Sequence, residues 1–279
     1  MAVPEPGVGE VLVSMRAAGV NPVDSKIRSG LYSDRYPVTL PSRVGREVSG
    51  VVSALGAGVT GFSVGDEVLG AVATGGAADD VVVPVASLAH KPPELDWARA
   101  GCIPLAGQTA WDALASQRID ASDTLLVSAA AGGVGGILVQ LALRLGARVI
   151  GTASEGNHDY LATLGVEPVC YGPDLASRLR HAGVTLVFDL QGSETVAAGL
   201  ELGVAPHRIN SLSGHAARFG VRHVGRGIPD PEVLASLASL VERGELAIPI
   251  QERVALAEFR RAYEILDIGH VRGKLVLVP

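Results

Sequence analysis

The sequence predicts an α/β chain made of a small β-barrel and a doubly wound parallel sheet. Three observations predict it. Residues 1–95 read as short β-rich stretches punctuated by glycine turns, the texture of a small barrel. From residue 96 onward helical and strand-like stretches alternate, which implies βαβ units with helices over both faces of a parallel sheet. Near residue 130 a glycine-rich turn stands between a strand and a helix. At 279 residues, 48% of them hydrophobic, the chain exceeds one usual domain and can fill a core. The expected division is 1–95 with 247–279 as one domain and 96–246 as the other.

Each element follows from local pattern. "EVLVSMRAAGV" and "EVSGVVSALG" cluster β-formers, "GFSVGDEVLG" turns into a strand, and "GGAADDVVVP" gives another, closed by Pro84. "LDWARAGCIPLAGQTAWDALAS" is helical on both sides of Pro104, with Asp96 as N-cap. Then come "TLLVSAA", "GILVQLALRLG", "RVIGTAS", "HDYLATLGV", "EPVCY", "DLASRLRHAG" and "VTLVFDLQG", strand and helix in alternation. "PDPEVLASLASLVERGEL" starts a helix at Asp230 with Pro231 in its first turn. The tail "LAEFRRAYEILDIGHVRGKLVLVP" reads as helix, turn and a last strand expected to rejoin the barrel.

Composition excludes several classes. Net charge is −6 and no run of lysine or arginine occurs, so no nucleic-acid partner is expected, because phosphate binding needs a concentrated basic face. The two cysteines, Cys102 and Cys170, form no CxxC pair and suit a reducing, cytoplasmic setting. "MAVPEPGVGE" has no apolar core and does not read as a signal peptide. From Thr124 the chain carries no charge until Arg144, long enough to cross a bilayer. "AGGVGG" divides that run into strand and helix, so no membrane span is expected.

The turn itself, "SAAAGGVGGILVQ", sits where a dinucleotide fingerprint requires it. Aligned to GxGxxG, the key positions are Ala130, Gly132 and Gly135, with Ala131, Gly133 and Val134 between them. Gly132 lets the backbone approach a pyrophosphate and Gly135 lets the helix pack closely on the sheet. Free N–H groups at the helix start favour the anion. Ala130 replaces the first glycine, which is tolerable at negative φ. Enzymes using NAD place an acid at the end of the second strand for the ribose hydroxyl. Here Thr152, Ala153 and Ser154 stand there, which permits NADP(H), with Ser154, Asn157 and His158 as hydrogen-bonding partners of the 2′-phosphate. Glu155 is the one opposing charge.

Several blocks then occur in a familiar order: "AAGVNPVDSKIRSGLY", "GFSVGDEVLG", "IPLAGQTAWDAL", "AAAGGVGG", "LVFDLQG" and "HVRGKLVLVP". With them the whole chain resembles the zinc-independent quinone oxidoreductase (zeta-crystallin-like) branch of the medium-chain dehydrogenases/reductases. The resemblance implies a GroES-like β-barrel catalytic domain plus a Rossmann domain, and NADPH as hydride donor to a quinone or an activated alkene such as an enone. It implies no metal: Asn21 stands where zinc-dependent relatives carry a cysteine, Gly45-Arg46-Glu47 replaces Gly-His-Glu, and the four-cysteine lobe is absent. Asn21, Lys26 and Thr109 are then expected at the nicotinamide end and Tyr32 in the substrate pocket. Tyr171 falls near the 2′-phosphate, Ser211, Leu212 and Ser213 flank the nicotinamide, and Lys274 closes the site from the C-terminal side. Arg218 to Gly225 lies where the family pairs subunits through the Rossmann sheet edge, so a homodimer is expected.

Three departures qualify that picture. Relatives begin with a further β-strand pair ahead of "VPEPG", so the resemblance implies either a smaller barrel or an open edge covered by another segment or subunit. Ala77 and Asp80 stand in a segment where relatives carry tyrosines, and Gly156 and His158 stand where relatives place a basic residue for the phosphate. With the Asp79-Asp80 pair, these leave two other readings open: the fold adapted to a cyclisation or isomerisation, or a non-catalytic NADP-binding protein.

Overall fold

The computed structural model describes residues 3–34, 36–39, 41–213, 215–225 and 229–279. The chain divides into two compact units, Met1–Gln108 with Ile228–Pro279, and Thr109–Gly227. The change from strands to helices near residue 96 therefore precedes the unit limit. Residues 94–108 remain in the first unit because they hold its returning helix: Glu94 N–H donates to Glu242 at 3.1 Å, and Asp230 N–H donates to Gln108 Oε1 at 3.0 Å.

The chain opens with strand β1 (Glu10–Val20), helix α1 (Pro22–Arg28) and strands β2 (Glu47–Leu55), β3 (Glu67–Ala71), β4 (Asp80–Pro84) and β5 (Leu88–His90). Helices α2 (Trp97–Ala100) and α3 (Pro104–Ala115) follow, and Asp96 caps α2 by accepting from Arg99 N–H. Next come β6 (Thr124–Val127), α4 (Gly133–Arg144), β7 (Arg148–Ala153), α5 (His158–Thr163) and β8 (Glu167–Cys170). They are continued by α6 (Leu175–Leu179), β9 (Leu186–Asp189), α7 (Glu194–Glu201), β10 (Ile209–Ser211) and β11 (Arg222–His223). The return to the first unit is α8 (Pro231–Glu242), β12 (Ile250–Ala255), α9 (Phe259–Ile268) and β13 (Lys274–Val278). Asp230 caps α8 and Pro231 opens it.

In the first unit the sheet runs β12-β13-β1-β2-β3-β5, with β4 also on β1. Strand β1 is shared: Leu12 faces Val82 of β4, while Gly19 faces Val276 of β13, so the last strand does rejoin the barrel sheet. Flanked on both sides, β1 buries successive residues as well as alternate ones. Its Val11, Val13 and Met15 pack with Val48, Val68, Val83 and Leu275 in one core, which Tyr263 of α9 joins. Among the described residues this strand path does not close on itself; it ends at β5 and β12. Strand β12, "IQERVA", is unannounced by hydrophobic alternation, and its glutamine, glutamate and arginine suit an edge.

The second unit carries a parallel sheet of order β11-β10-β9-β6-β7-β8. Counted within the unit this is the doubly wound order of a Rossmann sheet. The chain reverses its winding direction between β6 and β9, and ligands of such sheets bind at the carboxyl ends of the strands at that point. No helix among the described residues is long and apolar enough to cross a membrane, and the uncharged run from Thr124 is divided between β6 and α4.

Candidate active site

The glycine turn opens at the reversal point. Ala130 is fully buried and its N–H donates to Thr152 O at 3.0 Å, which ties the turn to β7. The Ala130 methyl lies where a Cβ on Gly151 would come within 2.6 Å, so alanine at the first fingerprint position depends on glycine across the sheet. The positive φ falls one residue earlier, on Ala129 at 49°. Gly135 packs so closely on the Ala129 carbonyl oxygen that no side chain fits between them. Gly132, Gly133 and Val134 are partly exposed, Ala131 is buried, and no side chain caps the N-terminus of α4. Those first-turn N–H groups have no intrahelical acceptors and are available to an anion. This is a cradle that a pyrophosphate fits.

Beside it, Asp189 at the end of β9 gathers the strand ends. It accepts from Ser128 Oγ at 3.3 Å and from Ser211 Oγ at 2.7 Å, while Ser128 Oγ accepts from Leu190 N–H at 2.7 Å. Burial pushes the Asp189 carboxyl above its ordinary range although the serine hydroxyls favour its charge. Ser211 is buried and shares a 2.8 Å hydrogen bond with Ser213, whereas Leu212 and Ser213 are partly exposed. Thr109 Cγ2 and Leu212 Cδ2 both lie against Gly225, so Thr109 and Leu212 share one wall. The sequence reading missed Asp189 and Ser128; an acid ending the apolar run "LVFD" is the signal that could have found the first.

The parallel register Ala153↔Cys170 puts Ser154 and Tyr171 at neighbouring strand ends. Ser154 Oγ accepts from Asn157 Nδ2 at 3.1 Å, and His158 Nε2 lies 3.7 Å from Cys170 Sγ. Tyr171 is half exposed. Residues 154–158 carry no basic side chain except the histidine, but α6 brings one: Arg178 Nη2 stands 3.8 Å from where a Cβ on Gly172 would be, next to Tyr171. Sequence reading missed Arg178 because only the turn into α6 returns it to that strand end.

In the first unit, Asn21, Glu47 and Lys274 form a buried network. Lys274 Nζ donates to Glu47 Oε1 at 2.7 Å, to Asn21 Oδ1 at 2.5 Å and to Val20 O at 3.3 Å. Asn21 Nδ2 donates to Glu47 Oε1 at 2.8 Å, and Leu105 N–H donates to Glu47 Oε2 at 2.8 Å. Glu47 is wholly buried and Lys274 and Asn21 nearly so. Gly19 leaves the room, since a Cβ there would run into the Glu47 carboxylate. Burial disfavours the Lys274 charge, yet the Glu47 carboxylate and its neighbours more than offset this and hold the ammonium above its ordinary range. The structure thus turns Lys274 inward onto Glu47 and Asn21. The donor set of amide, guanidinium and ammonium-bound carboxylate does not suit zinc, and among the described residues no group of three or more His, Cys, Asp or Glu could hold a metal. Both cysteines are free, and burial pushes the Cys102 thiol up to about 12.

Asp24 joins this network from α1. Its Oδ2 accepts from Asn21 N–H at 3.1 Å and from Tyr263 Oη at 3.3 Å, and burial lifts its carboxyl to about 7. Lys26, also on α1, sits 5.6 Å from the Tyr32 ring centre; Tyr32 lies 6.4 Å from Tyr36, and the Arg46 guanidinium lies 4.7 Å from the Tyr36 ring. The structure therefore brings Lys26 and Tyr32 together and extends them to Tyr36 and Arg46. Of the departing residues, Ala77 packs on Gly45, and Asp80 accepts from Ser14 Oγ at 3.2 Å on the neighbouring strand.

Comparison with known proteins agrees with this architecture. Residues 7–93 match the alcohol dehydrogenase GroES-like domain and residues 164–277 the zinc-binding dehydrogenase family. A quinone oxidoreductase of Pseudomonas aeruginosa is 34% identical over 99% of this chain and 93% of its own length. The structure of a quinone oxidoreductase from Coxiella burnetii superposes with a TM-score of 0.88 at 31% identity, covering 100% of this chain and 93% of that one. That of the Escherichia coli quinone oxidoreductase complexed with NADPH gives 0.88 at 28%, covering 100% and 94%. The chain belongs to the quinone oxidoreductase, zeta-crystallin-like, family of medium-chain dehydrogenases/reductases, with its GroES-like and Rossmann folds.

Proposed function

We propose that the protein is an NADPH-dependent oxidoreductase that reduces a quinone or the activated double bond of an enone without zinc. The single observation that carries the reading is the glycine cradle at the reversal point of the parallel sheet: an uncapped helix start, partly exposed, with no carboxylate at residues 152–154. That cradle fits a dinucleotide, and a related structure holds NADPH. Bound NADPH supplies the hydride.

The chain's own residues do the rest. The N–H groups of Gly133, Val134 and Gly135 bind the pyrophosphate, and Ser154, Asn157, His158, Tyr171 and Arg178 hold the 2′-phosphate. Asp189, through Ser128 and Ser211, fixes the strand ends on which Leu212 and Ser213 meet the nicotinamide with Thr109. Lys26 and Tyr32 present donors toward the acceptor oxygen, where negative charge develops. Glu47 and Lys274 neutralise each other, so the acceptor oxygen is served by hydrogen-bond donors rather than by a metal.

We further infer that the protein works in a reducing cytoplasm as a homodimer joined along β11, the exposed end strand of the parallel sheet. A monomer by light scattering would overturn the dimer. For the reaction, loss of reduced nicotinamide absorbance is followed with 9,10-phenanthrenequinone and simple enones after chelator treatment. Turnover with NADPH in excess of NADH supports the reading. Tight NADPH binding without turnover of any acceptor would leave a non-redox or purely binding role.

A further inference from the structure

A cavity of about 220 Å³ in the first unit is lined by Asp24, Arg28, Tyr36, Arg43, Arg46 and Thr74, among others. In a chain of net charge −6, its wall carries three arginines against one acid. Arg28 is held by Asp267 at 3.0 Å. Arg46 differs: no described carboxylate lies within ion-pair reach of it, its Nε is buried without a hydrogen-bond partner, and its guanidinium is steadied on the Tyr36 ring. Asp24, 3% exposed, also leaves its Oδ1 without a partner. Buried polar groups are nearly always paired. Two orphans on one wall point to polar groups that the described residues do not supply.

We propose that this cavity receives the substrate's own carboxylate on Arg46, and that the acceptors are small enones or quinones bearing such a group. The inference rests on the reductase reading above. A planar guanidinium fork matches a carboxylate with two parallel hydrogen bonds, and this one is free to form them. The cavity lies below the roughly 300–1,000 Å³ of pockets that enclose drug-sized ligands, which limits the acceptor to a small molecule. The acid on the wall does not oppose an anion at mildly acidic pH, because burial keeps Asp24 protonated up to about 7. In the reaction, hydride joins the alkene carbon β to the ketone and a solvent proton joins the α carbon. The C=C bond becomes C–C, NADPH becomes NADP⁺, and the carboxylate is unchanged.

The test compares 4-oxo-4-phenylbut-2-enoate with its methyl ester, an acceptor of greater intrinsic electrophilicity. The proposal expects the acid to exceed the ester in kcat/KM by about tenfold or more, chiefly through KM, as a charge-assisted bidentate pair allows. Arg46→Gln should lower the acid-to-ester ratio of kcat/KM by about that factor. Equal use of acid and ester by the wild type, or a ratio unchanged in Arg46→Gln, overturns it. If the variant fails to fold, the wild-type ratio decides alone. If NADPH is oxidised by neither compound nor by 9,10-phenanthrenequinone, the reductase reading falls. Calorimetry with the saturated acid 4-oxo-4-phenylbutanoate then judges the cavity: binding that Arg46→Gln abolishes upholds the carboxylate site, and no binding to the wild type overturns it.

Discussion

Lys274 Nζ lies 2.7 Å from Glu47 Oε1, across 227 residues of sequence and with both side chains buried. Each is the other's only charged partner within ion-pair reach among the described residues, the remaining contacts coming from Asn21, the Val20 carbonyl and the Leu105 N–H, so removing one partner strands the other charge in the interior. Lys274→Met should cost about 3–5 kcal/mol of unfolding free energy, while Glu47→Gln/Lys274→Met together should recover much of it. Urea unfolding with an unchanged m-value measures both. A loss below about 1 kcal/mol for the single variant would contradict the network.

Asp24 makes stability depend on pH. Its carboxyl sits at about 7 in the folded chain against an ordinary 3.8, because burial disfavours the charge. Below about pH 4 folded and unfolded chains are both protonated and there is no penalty. As pH rises the unfolded chain ionises first, so stability falls, by up to about 4 kcal/mol once pH passes 7. Relative to Asp24→Asn, the wild type should lose stability between about pH 4 and about pH 7. Parallel pH curves for the two proteins would refute this.

Gly135 and Gly156 offer a paired test. A Cβ at Gly135 runs into the Ala129 carbonyl, whereas one at Gly156 meets open space. Gly135→Ala should cost about 1–3 kcal/mol and weaken NADPH binding, and Gly156→Ala should stay within about 0.5 kcal/mol. Melting curves and cofactor titrations of the two variants read the difference.

Arg178 is exposed and stands by Tyr171 at the strand end opposite Ser154. If it holds the 2′-phosphate, Arg178→Ala raises the Kd for NADPH by roughly tenfold and leaves that for NADH unchanged, as loss of a charge-assisted phosphate contact should. An equal effect on both cofactors would remove Arg178 from the phosphate site.

Much of this was legible in the residues because it is local. The glycine turn, the caps Asp96 and Asp230, and the alternation of β6 to β9 rest on neighbours within a turn or a strand. The order of blocks then carried the family. What escaped was set by distance along the chain. Lys274, which the resemblance implies closes the site, meets Glu47 only because β13 lies beside β1. Arg178 and Asp189 gain meaning only when parallel strands align their ends, and β12 is too polar at an exposed edge to show a strand's periodicity. The positive φ on Ala129, beside the substituted fingerprint position, has no sequence signature at all.

The most direct measurement of the central claim is isotopic. Chelator-treated protein is given NADPH carrying deuterium at nicotinamide C4, in each of the two stereospecific forms, together with an enone. The product should carry one deuterium at the β carbon from one form only, at a rate indifferent to added zinc. A product without that label, or turnover that requires zinc, would contradict metal-free hydride transfer from NADPH.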